Sequence, residues 1–375
     1  MKNYLTSILL FFNCSIIFCQ GVIPLNNKNE NGNFMFDSII TKLGNKRIIC
    51  LGEERHRIET FSKCKTEFVK YLHKNLGYEV VAFEGSLLNI ATAFYNIPSD
   101  TLALKTALYG VWQTKSVLDL FRYSKGVAHQ TPPLVFTGFD VKSPPSHFAS
   151  LWLKTILQPI NAKYAETVYS TDTLFTRKAR PFDKNDNKTQ PISKNESQFF
   201  RTFYKSLLDT ITFYENTLLQ KNSVTANQLK IIEQSILNRV SLSLLVTISE
   251  TSYKQTSTFR DSIMTQNILW LVNNLYKDKK IILWAHDAHI SKKTIKGYLN
   301  FNQKSSVAML PNNIKNEVET ISLNFIKNAP KNIKKQIKSL KGNTFFVTKP
   351  DYMNGEFEHV IYFKKTESVD NYKIK

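Results

Sequence analysis

Four short apolar runs, each delivering a polar residue at its end, constrain this chain more than any other feature. Arg47-Ile48-Ile49-Cys50-Leu51 runs into Gly52, residues 78–83 end at Glu84, residues 134–139 deliver Asp140, and Lys280-Ile281-Ile282-Leu283-Trp284 leads to His286. Apolar runs of this length, bounded by turn signals, suit strands buried on both faces. Between the first two, Phe61, Cys64, Phe68, Tyr71, Leu72 and Leu76 recur at spacings of three and four, and Gly77 stands where such a helix would stop. Strand, helix and strand in this order predict a β-α-β unit with parallel strands. The expected fold class is therefore α/β: a mainly parallel central sheet flanked by helices. In open sheets of this kind ligands bind beyond the carboxyl ends of the strands, so Glu53, His56, Glu84, Asp140, His286 and His289 are expected along one rim.

The chain has 375 residues, enough for one large domain with an insertion. Residues 171–197 are polar, include Arg177-Lys178-Ala179-Arg180-Pro181 and Pro191, and read as a long exposed loop. Phe200, Phe203, Tyr204, Leu207, Leu208 and Ile211 then mark a helix, as do Ile232, Ile236, Val240 and Leu244. Residues 150–255 are accordingly expected as a helical insertion, capping the rim of an α/β domain that covers 20–375. Phe345-Phe346-Val347 and residues 357–363 read as late strands that complete the sheet.

Residues 1–19 read as a signal peptide: Lys2, then an apolar stretch shorter than the roughly 20 residues that span a bilayer, then a polar turn after Gln20. Cleavage near Cys19 and Gln20 is expected in preference to lipidation of Cys19. The mature chain would then be exported to the periplasm or the medium, with no transmembrane anchor. Cys50 and Cys64 have apolar neighbours and read as two buried small side chains rather than a bridge. The formal charge of +20 is diffuse, its densest run at 327–341 reads as a solvated helix face, and no basic stripe interleaved with aromatics is present. A nucleic-acid partner is not expected. Oligomeric state is not indicated.

Taken in order, Gly52-Glu53-x-x-His56, the helix behind it, Val81-Ala82-Phe83-Glu84, Gly138-Phe139-Asp140, Arg260-Asp261-x-x-Met264-x-x-Asn267 and Trp284-Ala285-His286-Asp287-Ala288-His289-Ile290 resemble the erythromycin esterase family. The resemblance runs from near Phe34 to Phe363. It implies a hydrolase that opens a small-molecule ester or lactone, a macrolide being one candidate, without cofactor or metal. On that pattern His56 is the general base, Glu53 and Glu84 orient it and its water, and His286, His289 and Arg260 hold substrate oxygens or the developing oxyanion. Three departures touch the rim: Arg57 where the family usually has glycine, Asp287 where it has asparagine, and Lys65 where an arginine is common. Arg57, Asp140 and Asp287 are thereby candidate substrate contacts beside Arg260.

The chemistry stands without the family. An imidazole flanked by carboxylates is fixed in one tautomer and stabilised as a cation once it has taken a proton from water. Water as nucleophile also fits the absence of a Gly-x-Ser-x-Gly turn and of a papain-like cysteine context. Two other classes stay open. His286-x-x-His289 with His56 and a carboxylate could ligate zinc or manganese, or clustered histidines could capture haem without turnover. Plainer readings compete residue by residue: Asp140 as a helix cap before Pro144, Arg260 as a structural ion pair at the start of a helix, and Glu54, Arg55, Arg57 and Glu59 as solvated loop residues. His73, His129, His147 and His359 read as surface or satisfied core histidines.

Overall fold

Burial on both faces decides the layering. The computed structural model describes residues 21–25, 34–142, 144, 146–179, 192–221, 224–249, 252–298, 301–348 and 356–368. The expected leader at 1–19 and Arg180, Pro181 and Pro191 lie outside the described residues. The strands are β1 (Val22–Pro24), β2 (Ile48–Leu51), β3 (Tyr78–Ser86), β4 (Val135–Asp140), β5 (Lys280–Trp284), β6 (Ile295–Tyr298), β7 (Phe301–Gln303), β8 (Val318–Phe325), β9 (Thr344–Thr348) and β10 (His359–Phe363). Eight of them form one sheet in the order β1-β9-β10-β8-β2-β5-β3-β4, and β6 and β7 make a separate hairpin. From β10 through β4 every neighbouring pair is parallel; only β9 runs against the others, antiparallel to β10 on one side and to the edge strand β1 on the other.

The helices before β5 are α1 (Asp37–Leu43), α2 (Glu59–Leu76), α3 (Leu87–Asn96), α4 (Asp100–Ala107), α5 (Lys115–Gly126), α6 (Phe148–Leu157), α7 (Ala162–Lys178), α8 (Lys194–Phe213), α9 (Glu215–Gln220), α10 (Ala226–Ser249) and α11 (Tyr253–Trp270). After it come α12 (Asp287–Ile290), α13 (Asn312–Lys315) and α14 (Lys331–Ser339). Side chains alternate across the central strands. Ile48, Cys50, Val80, Ala82, Ile281 and Leu283 join a core shared with α6–α8, α10 and α11, while Ile49, Leu51, Val81, Phe83, Ile282 and Trp284 join one shared with α1, α2, α4 and α5. This is why the strands read as continuous apolar runs rather than alternating ones.

Helix α2 buries the stripe expected of it and stops at Gly77, whose φ of 69° is the left-handed value a glycine adopts without a Cβ clash. Cys50 and Cys64 are free and buried. Six consecutive helices, α6 to α11, fill the connection between β4 and β5. One stretch differs from its expected form. Residues 171–178 are the last turns of α7, not loop, because Asp172 completes a buried stripe with Ala165, Val168 and Phe175. Its carboxylate accepts hydrogen bonds from Ser150 Oγ (2.6 Å) and Tyr204 Oη (2.7 Å) and pairs with Arg239 Nε at 3.1 Å. A charged residue satisfied in the core looks like loop polarity in the sequence. Ala226–Ile248 is long and apolar enough to cross a membrane, and half of its most apolar window is buried inside the protein, where α10 packs on α8 and α11.

Candidate active site

The parallel strands β2, β5, β3 and β4 end side by side, and the polar residues after them meet there. The strand order changes direction at this point, since β2 connects to β3 across β5, and such switch points leave a crevice between diverging connections.

On the β2 side, Glu53 is 2% exposed and receives His56 Nδ1 on Oε1 at 2.9 Å, while the His56 side chain keeps 34% of its surface. The neutral ring therefore carries its proton on Nδ1, and its Nε2 lone pair remains available as a proton acceptor. The other Glu53 oxygen, Oε2, is 3.1 Å from Nζ of Lys65, which is wholly buried, donates to the Ala285 carbonyl at 3.2 Å, and lies 5.0 Å from the ring centres of both Trp112 and Trp284. Burial lowers the Lys65 pKa and Glu53 opposes the fall. A buried ammonium in this setting needs its carboxylate and its aromatic faces to remain charged.

The His286 ring centre is 4.8 Å from that of His56, and Trp112 stands edge-on to His56 at 4.9 Å. His286 caps α12: its Nδ1 accepts the Ala288 amide at 3.1 Å, and its Nε2 faces the Glu54 carbonyl at 3.1 Å, which requires a proton on Nε2. Burial, with the His56 charge beside it, pushes its pKa down to about 3. The ring expected to hold substrate oxygens is thus neutral and engaged at both nitrogens by backbone, and it positions the turn instead. The same engagement leaves neither nitrogen for a metal. Among the described residues no three His, Cys, Asp or Glu side chains group to hold a metal ion.

Across the rim, Glu84 Oε2 accepts the His286 backbone amide at 2.9 Å, and its Oε1 lies 2.9 Å from Arg260 Nη2 and 3.3 Å from His289 Nε2. Burial alone would raise its pKa, but His289, Arg260 and His56 together hold it well below the usual carboxylate range. Arg260 forks onto Asp140, with Nε 3.0 Å from Oδ1 and Nη2 on Oδ2. Asp140 is therefore the bidentate partner of this guanidinium rather than a helix cap. Arg260 does not begin its helix; it lies in the middle of α11. Its Nη1 is 3.0 Å from His289 Nε2, and His289 Nδ1 is 2.7 Å from Oδ1 of the buried Asp261. Burial disfavours a charged His289, but Asp261 and Glu84 outweigh it and raise the ring's pKa. Its Nε2 can offer a lone pair to Arg260 or a proton to Glu84, not both at once. A recess of about 60 Å³ opens beside this group, with Lys142, Tyr253, Arg260, His289 and Gln303 in its wall.

Two of the expected substrate contacts take other positions. Asp287 is buried, accepts Ser322 Oγ at 2.6 Å, and has its pKa raised by burial to about 8 despite Ser322 and Lys65. A Cβ on Gly52 would lie 2.0 Å from Asp287 Oδ1, so only glycine lets this strand end pass over α12. Asp287 is packing beneath the rim, not a wall of the cleft. Arg57 is exposed, with a φ of 63° that favours glycine, which accounts for the glycine usual at that position in the resembled family. Glu59, expected to be solvated, is buried and accepts both Ser116 N (3.1 Å) and Ser116 Oγ (2.6 Å). Glu54 is bonded to Asn328. His73 is satisfied by Tyr123 and Pro132, while His359 is a buried core ring whose Nε2 pairs with Glu319 and whose Nδ1 has no partner among the described residues.

Sequence reasoning put Lys65 at the rim but gave it no role, quoted Asp261 without one, and missed Trp112. The signal was present for the first two. Lys65 falls on the apolar stripe Phe61, Phe68 and Leu72, and Asp261 falls on the stripe of Met264 and Ile268; a charged residue at such a position needs a buried partner.

A model of the erythromycin esterase family matches residues 73–309, a span that holds Glu84, Asp140, Arg260 and the His286–His289 turn and begins after the Glu53–His56 pair. Over 319 residues the chain is 27% identical to YbfO of Bacillus subtilis (strain 168), a protein named as a hydrolase, covering 80% of this chain and 69% of that one. A Bacillus cereus crystal structure superposes with a TM-score of 0.69 at 14% identity, over 90% of this chain and 93% of that chain. A mutant of the erythromycin esterase EreC in its open conformation gives 0.65 at 13% identity, over 93% and 98%. A succinoglycan biosynthesis protein gives 0.67 at 14% identity, over 92% and 95%. At these identities the superpositions show a shared fold.

Proposed function

The chain belongs to the erythromycin esterase family, and from that premise we propose that it is a hydrolase that opens a small-molecule ester or lactone with a water molecule activated by His56. One observation carries this reading: the Glu53–His56 pair, bonded at 2.9 Å, joins a buried carboxylate to a ring that still reaches solvent. A base must meet its water, and among the rim histidines with described exposure His56 is far more open than His289, whose side chain is 9% exposed.

In the first step water attacks the carbonyl carbon as its proton passes to His56 Nε2. The new imidazolium is stabilised by Glu53 at Nδ1, and Lys65 holds Glu53 from behind. The oxyanion develops toward the recess bounded by Arg260 and His289. Collapse of the tetrahedral intermediate returns the proton from His56 to the leaving alkoxide, so the acid and the alcohol leave with atoms and charge balanced. The neutral His286 and the ionised Glu84 hold the frame in which this takes place.

The test offers the protein a panel of esters, lactones and macrolides, with and without chelator, beside His56→Ala. Activity that survives the chelator and falls about 10²- to 10⁴-fold in His56→Ala is expected for a positioned general base. Full activity in His56→Ala, or loss on chelation with recovery on adding zinc or manganese, would overturn the reading. The proposal includes export: secreted or periplasmic protein should begin at or near Gln20 on amino-terminal sequencing, and retention of the leader would count against it.

A further inference from the structure

The helix α14 carries charge that its surroundings do not answer. From Thr320 to Pro350 the chain contains no Asp or Glu, and within that stretch Lys327, Lys331, Lys334, Lys335, Lys338 and Lys341 lie in or beside α14. All are exposed except Lys334, which is half-buried. None makes a side-chain hydrogen bond or ion pair with a described residue, and Lys327 has a ring contact only, 5.1 Å from the Phe325 centroid. Lys364 adds an ammonium at the end of the helix, where its Nζ donates to the Leu340 carbonyl at 3.0 Å. Between Ile326 and Lys341 the described carboxylate in contact is Glu54, which Asn328 engages at the rim. Helices α2 and α5 differ: there Lys63 is answered by Glu67 at 3.8 Å and Lys125 by Asp100 at 2.9 Å.

Like charges three and four residues apart destabilise a helix. Lys331 stands so to Lys334 and Lys335, and Lys338 to Lys334, Lys335 and Lys341. The opposite face of α14 holds it in place, since Ile333 and Ile337 are fully buried with Phe345, Val347, Val360 and Tyr362. With that apolar side used up inside the protein, a partner meets ammonium groups and no face that could insert into hydrocarbon. The same edge is where the expected leader joins. Gly21 leads into β1, β1 pairs with β9, and Val22 packs on the apolar cluster that contains Ile333 and Ile337. An apolar leader at 1–19, engaged with a bilayer during export, brings this edge to the membrane surface first.

We propose that the lysine face of α14 is a docking surface for an anionic lipid bilayer, which keeps the exported protein at the membrane once the leader is removed. Charge complementarity calls for a polyanion, and the place where the leader joins selects a bilayer. Docking is peripheral: each lysine near a negative membrane surface contributes about fivefold in affinity, and salt screens the attraction. The inference concerns binding alone, so it stands or falls apart from the hydrolase reading.

The test sediments the leaderless protein with vesicles of phosphatidylcholine alone and of equal parts phosphatidylcholine and phosphatidylglycerol. It should bind the anionic vesicles, leave the neutral ones, and be released as salt rises from about 0.05 to about 0.5 M. Lys331→Gln/Lys335→Gln/Lys338→Gln should weaken binding about a hundredfold, while Lys331→Arg/Lys335→Arg/Lys338→Arg keeps it. Lys63→Gln/Lys163→Gln/Lys279→Gln removes the same charge from exposed lysines on other elements and should cost less than about threefold. All the substituted side chains are exposed, and circular dichroism melts check that each variant is folded. No binding to anionic vesicles, or equal binding to neutral ones, overturns the proposal. Equal losses in the two glutamine variants would assign the attraction to net charge and overturn it too. Displacement by millimolar inorganic phosphate at constant ionic strength would reveal a discrete phosphate site, with the same consequence.

Discussion

Two histidine–carboxylate pairs stand on the same rim with nearly the same bond, His56 to Glu53 at 2.9 Å and His289 to Asp261 at 2.7 Å, and their surroundings give them different work. The His56 ring keeps 34% of its surface and an Nε2 with no hydrogen-bond partner among the described residues, whereas the His289 ring keeps 9% and has its Nε2 between Arg260 and Glu84. A base that must collect a proton from water needs the first environment. A fixed electrostatic wall needs the second. Environment, not residue type, divides the roles, as expected where titratable pairs are pushed apart by what surrounds them.

The comparison can be broken or sharpened by mutation, taken from the largest expected change in folding stability to the smallest. Arg260→Met removes the cation that faces Asp140 and Glu84 and leaves two buried carboxylates uncompensated, so about 3–5 kcal/mol of stability should go. Denaturant melts near the wild-type midpoint would mean that the His289 side is not the rigid one. His289→Gln should cost about 1–3 kcal/mol by leaving Asp261 short of its donor, while His56→Gln should shift stability by well under 1 kcal/mol and abolish most turnover. Equal stability losses in the two would erase the distinction drawn above.

Titration sharpens it further, with opposite signs at two neighbouring carboxyls. Glu84 has its pKa held below the ordinary 4.5, so its contribution is present above that pH and is lost as pH falls. Asp287 has its pKa raised from 3.8 to about 8, so its penalty is absent in acid and grows as pH rises through that window. Asp287→Asn should therefore melt like the wild type near pH 4 and gain about 1–2 kcal/mol by pH 9, tempered by Lys65 nearby. A gain independent of pH would place the carboxyl elsewhere. Arg57→Gly comes last: relief of the left-handed backbone is partly offset by greater freedom in the unfolded chain, for a net gain below about 1 kcal/mol.

Particular elements show what could be read early. The strand ends at Leu51, Phe83, Phe139 and Trp284 were legible because a strand buried on both faces writes itself as an unbroken apolar run, and the residues after them meet at one rim in the structure. Glu59, Lys65, Asp172 and Asp261 were harder. Each is a charge inside a helix, and composition reads a charge as solvent-facing unless its place on the apolar stripe is weighed first.

The sequence by itself determined the α/β class, the first β-α-β unit and the gathering of distant polar residues, because hydrophobic period is a local property of the backbone. Only the tertiary structure decided which rim histidine stays open to solvent, and that Asp287 packs under Gly52 instead of lining a cleft. Those outcomes depend on contacts between residues far apart in the chain, where burial and pairing are set by the neighbours that folding supplies.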